Sequence, residues 1–385
     1  MIGSAELQPT MSETDIRDLS AEEADLAATF FHERWRPGHI FFRNRELLLW
    51  QYYRNPYAAQ FSSGLTFRAA FEDGRNVGVF AYMPFAFNRY GTKQFGCHLS
   101  AWWVHPEHRR GSLALRLLHS LQDKSPFDAC IAGINTEVAE RLYERMSWVV
   151  ARNIPRLVYI VDRAQFESLL DRATAVPPAT ATTMSANPVL GAGRKAELEP
   201  LTSLEELRDL GWDDFYWQRI APTQMGPARE AAYLQWRYGS IPVFHYDALL
   251  ARRSGEISGL LVYRIEQIKD SEQQIIRLVD LVAEPEAIPD LVNGVVQVAL
   301  KQGATAIDFF CTHRTYLDQV LTCGFIDACD SGGERYWCPH LFQPLDHARN
   351  RLNSAWWIRG MDLQARAARS DFCIMKGDYE FDRPN

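Results

Sequence analysis

Two rare tryptophans recur at a fixed spacing. Leu48, Trp50, Tyr52 and Pro56 reappear as Leu234, Trp236, Tyr238 and Pro242, each 186 residues later in a chain of 385. Further on, Pro106-Glu107 answers Pro285-Glu286 at a spacing of 179, and Ser147-Trp148 answers Gly324-Phe325 at 177. A spacing that shrinks slowly along the chain is what loop shortening does to a duplicated unit, so the sequence reads as two copies of one architecture. Between the copies, 173–193 is rich in Ala, Thr and Pro, with neither charge nor apolar period, as a linker is. The expected organisation is a disordered N-terminus at 1–13, a first domain at 14–170, a linker at 171–195, a second domain at 196–340 and a docked C-terminal tail at 341–385.

The first copy supplies the order of elements. Apolar alternation predicts strands at 15–19, 65–72, 76–83, 96–104 and 127–134, with Asp73-Gly74 as the hairpin turn between the second and third. Helical spacing occupies 21–34, 46–53, 112–122 and 137–145, and a strand at 157–161 closes the unit. Strands that pair antiparallel and then connect through helices predict an α/β fold, each copy a twisted, mostly antiparallel mixed sheet flanked by helices.

Composition narrows the partners. The chain is 47% hydrophobic and 23% charged, as in a soluble globular protein, and its net charge of −7 argues against non-specific binding to nucleic acid or an anionic membrane. Seven cysteines, an odd number with no Cys-x-x-Cys, fit a reduced, cytoplasmic setting and give no metal-ligand spacing; Cys97, Cys130 and Cys311 read as small core residues. No stretch approaches about 18 consecutive apolar residues, and the start of the chain has no export-signal pattern.

One segment carries anion chemistry. From Val104 the chain reads His-Pro-Glu-His, then Arg109, Arg110, Gly111, Ser112, Leu113 and Ala114: a strand, a turn of small and basic residues, and a helix start. Backbone N–H groups and the helix dipole favour a phosphate there. The segment resembles the pyrophosphate loop of the GNAT superfamily of acyl-coenzyme A-dependent acyltransferases, Arg/Gln-x-x-Gly-x-Gly/Ala, with Arg109, Ser112 and Ala114 on its three positions and serine in place of the usual glycine. Downstream, 139–148 resembles the family's second signature, Ala-x-x-Leu-Tyr-x-x-x-Gly-Phe, with Ser147-Trp148 replacing Gly-Phe.

The resemblance implies tandem GNAT-like domains and a co-substrate, acetyl-coenzyme A or another acyl-coenzyme A. It implies that the strand ending at Val104 holds the pantetheine arm, that Arg109 and the N–H groups of Arg110 to Ala114 hold the pyrophosphate, and that Tyr143 is the general acid for the departing thiolate. Asn135 is expected either to anchor a water, the acceptor or a pantetheine amide, or to cap the helix that follows. His98 lies where many family members place a carboxylate base, and imidazole titrates in the useful range; a structural histidine is the other reading. His313, after the strand at 306–311, reads as solvated surface, a place on a cleft between the domains being the other reading. In the second copy Ile288 falls at the Arg109 position, Pro289 removes a donor, Asp290 repels phosphate, and Val320 replaces Tyr143, so that half is expected to keep the scaffold without the site. The expected activity is N-acyl transfer to a primary amine of a small molecule, a nucleotide-linked amino sugar being the leading example; the acids of the tail read either as receivers for a cationic acceptor or as the solvated face of a docked tail. The rivals are a FemABX-like aminoacyl transferase fed by charged tRNA and a non-catalytic acyl-coenzyme A sensor.

Overall fold

The computed structural model describes residues 14–122, 127–134, 136–172, 195–329, 336–339, 341–342, 345–346, 352–362 and 371–379. The expected N-terminal disorder (1–13), most of the linker (173–194) and Asn135 lie outside them.

Asp73 and Gly74 both adopt positive φ, 49° and 77°, as the hairpin turn demands, and Ser254-Gly255 repeats the turn 181 residues later at 55° and 86°. Around these turns the strands are β1 (Asp15–Asp18), β2 (Phe67–Glu72), β3 (Arg75–Arg89), β4 (Thr92–Val104), β5 (Ala129–Ile134), β6 (Val149–Ala151) and β7 (Arg156–Ile160). The second half adds β8 (Glu197–Pro200), β9 (Met225–Pro227), β10 (Asp247–Arg253), β11 (Glu256–Gln267), β12 (Gln274–Ala283), β13 (Ala306–Phe310) and β14 (Ile326–Asp327). A small hairpin of β15 (Leu341–Phe342) and β16 (Leu345–Asp346) precedes β17 (Asn353–Ile358).

These strands form two mixed sheets. One runs β1-β2-β3-β4-β5-β17-β6, with β9 on β3; the other runs β14-β7-β13-β12-β11-β10-β8. Each has a single parallel pair, β4 with β5 and β12 with β13. The strand expected to close the first unit does not stay there: β7 pairs with β13 and β14 of the second sheet. In its place β17, from the tail, lies between β5 and β6. The halves thus exchange their closing strands. Four residues of β7, Arg156, Leu157, Val158 and Tyr159, are buried in this arrangement.

Helices cover the outer faces. Leu113–Gln122 turns Leu113, Leu117, Leu118 and Leu121 onto the first sheet, and Ile288–Gln302 turns Leu291, Val292, Val295, Val296 and Ala299 onto the second. Each such apolar side chain contributes about 1.5–3 kcal/mol by leaving water. Among the described residues no helix is long and apolar enough to cross a membrane.

Between the sheets the repeat becomes a contact. Trp50 and Trp236 stack with ring centroids 4.7 Å apart and planes 16° off parallel. The Trp50 indole donates to the Trp236 carbonyl at 2.9 Å, and the Trp236 indole returns the bond to the Trp50 carbonyl at 3.0 Å. Equivalent residues exchanging identical bonds mark the pseudo-two-fold axis of the duplication.

Candidate active site

β4 pairs with β5 only from Gly96 to Leu99. At that point Tyr82 faces Leu99 and Ala81 faces Ala101, so Ser100 bulges and bends the strand. Beyond it β4 continues to Val104 without β5, opening a wedge in the sheet. The chain then makes a tight turn at Pro106–His108, exposes Arg109 to Ser112, and enters the helix at Leu113. The predicted phosphate residues are therefore together, at the mouth of the wedge and at a helix start whose first N–H groups have no partner within the helix.

The turn is tied down from both sides. Arg109 Nε donates to the Val104 carbonyl at 3.1 Å, the Gly111 N–H to His108 O at 3.1 Å, and the Arg116 N–H to Ser112 O at 2.8 Å. His108 Nε2 lies 3.3 Å from a Glu72 carboxylate oxygen at the end of β2. Ala114 is half-buried in the first turn of the helix, packed against the cluster beneath it.

Tyr143 approaches the wedge from the helix side. Its helix, Glu137–Arg145, is capped by Thr136, whose side chain accepts from the Ala139 N–H at 3.2 Å; the cap expected of Asn135 is thus made by its neighbour. Tyr143 is buried beside Trp148 and Trp102, at centroid distances of 4.7 and 6.1 Å, and burial pushes its phenol well above the usual range. The thiols of Cys97 and Cys130 meet at 3.5 Å nearby, both buried.

His98 follows Cys97 on β4 and so faces the opposite way, toward the second half. Its ring meets Tyr379 edge-on at 5.1 Å and lines a narrow cavity between the sheets, with room for about one water molecule. Phe85 and Asn55 line it from the first half, Tyr233, Arg237 and Asp378 from the second. Tyr143 and His98 therefore stand on opposite faces of the first sheet, with the β4 wedge between them.

The second half repeats the wedge and fills it. β12 pairs with β13 only from Ile275 to Leu278, and Val279 bulges where Ser100 does, 179 residues later. Into this gap runs the C-terminal segment. Met375 bridges to Cys311, the Leu281 N–H donates to Met375 Sδ at 3.2 Å, and the Thr312 N–H donates to Ile374 O at 3.0 Å. The exposed turn of the first half has no counterpart, because helix Ile288–Gln302 begins directly after the turn Pro285–Ala287. Ile288 and Val320 are core residues, and Asp290 accepts from the Ala196 N–H at 2.8 Å.

Two expectations are corrected by this segment. Asp378 is no solvated receiver: its Oδ2 accepts from Arg229 at 2.7 Å and from the Met375 N–H at 2.8 Å. Glu380 and Asp382 lie outside the described residues. His313, expected at the surface, is only 7% exposed, its ring tilted against Tyr316 at 4.9 Å, and burial pushes its imidazole down to about 4 against the pull of Asp371. The only signal in the sequence was the apolar run Phe372 to Met375, too short to announce a buried plug.

Residues 27–148 match the model of the Acetyltransferase (GNAT) family. No curated protein matches the chain in sequence. Solved structures share its fold. A GCN5-related N-acetyltransferase from Anabaena variabilis is 14% identical, with 90% of this chain and 73% of that one aligned and a TM-score of 0.54. One from Kribbella flavida is 13% identical over 91% and 71%, with a TM-score of 0.51. An N-myristoyltransferase from Saccharomyces cerevisiae, solved with myristoyl-CoA, is 11% identical over 92% and 80%, with a TM-score of 0.50. The chain thus shares the fold of these structures, and residues 27–148 of its first half match the GNAT acetyltransferase family model.

Proposed function

We propose that the first half transfers an acyl group, in the simplest case acetyl, from acyl-coenzyme A to a primary amine of a small molecule. The observation that carries this reading is the contrast between the two wedges. One is closed by the chain's own Met375, whose sulfur takes the Leu281 N–H; the other ends in an exposed basic turn at a helix start. The β4 residue at the Leu281 position is Trp102, and its N–H is the matching donor for a thioester carbonyl.

The residues fit the co-substrate: the turn at Arg109 to Ser112 for the pyrophosphate, the unpaired edge of β4 for the pantetheine amides. Bound acyl-coenzyme A supplies the activated thioester. Tyr143, its phenol held protonated by burial, stands on the helix side to return a proton to sulfur. His98, on the acceptor side, takes the proton that the amine must lose. Acyl-coenzyme A, a small amine acceptor and a cytoplasmic setting, with no metal in the chemistry, complete the reading.

The test is a panel of primary amines with acetyl-coenzyme A, read as free thiol. Thiol release with one amine, lost in Tyr143→Phe, supports transfer. Coenzyme A binding with no release across the panel would instead make the protein a sensor.

A further inference from the structure

We propose that His105, Glu107 and His108 form a binding site for a transition-metal dication, Zn²⁺ foremost, on the tight turn that leads into Arg109 to Ser112. The backbone brings the two imidazoles and the carboxylate together. The His105 N–H donates to the Val77 carbonyl of β3 at 2.8 Å, Pro106 opens the turn, and the His108 N–H returns to the His105 carbonyl at 2.9 Å. A turn of this tightness has three residues per revolution, so side chains three apart stand over one another. The two rings accordingly meet at 6.1 Å between centroids, and Glu107 rises from the turn between them.

Among the described residues this is the one set of three histidine, cysteine or carboxylate side chains whose ligand atoms all lie within 4.8 Å of one another. The state of His105 adds a second observation. Its Nδ1 is closed off from solvent and has no hydrogen-bond partner, although a Glu107 carboxylate oxygen stands 3.5 Å away. That separation is long for a hydrogen bond. It suits two ligands of a single ion, for atoms held about 2.0–2.1 Å from a tetrahedral Zn²⁺ stand about 3.4 Å apart. Glu107 is 76% exposed and can swing to admit the ion and draw the set together. Glu72, 3.3 Å from His108 Nε2, supplies the neighbouring carboxylate that orients a metal-bound imidazole. Glu72 and Glu107 also offset Arg109 and Arg110, so the dication enters no net positive field. Two imidazoles with one carboxylate favour Zn²⁺ over the oxygen-seeking Mg²⁺. The site adjoins the turn proposed for the pyrophosphate, but its binding of metal is independent of acyl transfer.

The test is calorimetric titration of the full chain with ZnCl₂ and with MgCl₂, in the absence of coenzyme A. Wild type is expected to bind Zn²⁺ at least about tenfold more tightly than Mg²⁺. His105→Gln and Glu107→Gln should each weaken Zn²⁺ by about tenfold or more, and Glu72→Gln by about tenfold. Glu107→Gln changes only an exposed side chain, so it decides the matter even where the histidine variant fails to fold. No binding of Zn²⁺ by wild type, equal binding of Zn²⁺ and Mg²⁺, or Zn²⁺ affinity unchanged in Glu107→Gln overturns the proposal. Each of these outcomes stands whatever the amine panel shows, because neither acyl donor nor acceptor is present in the titration.

Discussion

At the scale of single residues, the chemistry divides across a sheet. Tyr143→Phe removes a buried hydroxyl from the wedge side and is expected to lower kcat for the amine that wild type acylates by ~10²-fold or more, with KM for acetyl-coenzyme A nearly unchanged. A fall of less than threefold would strip Tyr143 of the acid's role. Arg109 has a different job: its guanidinium closes on Val104 O and stands over the turn. Arg109→Ala should weaken coenzyme A about tenfold, some 1.4 kcal/mol, in calorimetry. Unchanged affinity would show that the phosphate binds elsewhere. His313 offers a stability test. Its folded pKa, about 4, lies below the ordinary value near 6.5, so between those limits only the unfolded chain takes up the proton. Its contribution is complete above pH ~6.5 and is lost as the pH falls toward 4, up to ~3 kcal/mol in all. On acidification through that window the denaturant midpoint of wild type should fall relative to that of His313→Leu, and parallel curves would reject the assignment. Tyr143 and the Arg109 turn were legible in the sequence because each sits in a contiguous motif. Asp378 was not, because its meaning comes from Arg229, 149 residues away.

At the scale of elements, alternation told which stretches are strands and which turns are hairpins, and could not tell which strand pairs with which. β7 and β17 are both short apolar runs, and either would complete either sheet; the sequence order favoured the wrong neighbour. Pairing is settled by the geometry of the connections, and the longest of these carry little pattern. The C-terminal segment is the larger surprise, for a tail expected only to dock fills the wedge of the second sheet. Its fit is close: a Cβ added to Gly377 would collide with the Tyr238 hydroxyl and come within 3.0 Å of Val279 O. Gly377→Ala is therefore expected to cost about 1–3 kcal/mol by overpacking, seen as a lower urea midpoint at unchanged slope. A midpoint equal to wild type would mean that the segment has room to shift by the width of a methyl group.

At the scale of the molecule, duplication supplied two wedges, and the chain uses them unequally. One keeps an exposed anion turn; the other is occupied by the same segment that then carries Asp378 to the cavity facing His98. The exchange of closing strands makes neither half complete without the other, and Trp50 and Trp236 lock the axis between them. Each indole bonds the other's carbonyl, so losing one leaves a buried carbonyl unpaired as well as a gap against the remaining ring. Trp50→Phe and Trp236→Phe should each destabilise by ~1–3 kcal/mol, while the double variant should lose less than the sum, with a coupling near 1 kcal/mol. Because the strands are exchanged, all three variants should still unfold in one transition, with fluorescence and circular dichroism coincident. Two separated transitions, or strict additivity of the two substitutions, would mean that the halves fold as independent domains and that the stacked pair is a contact without consequence.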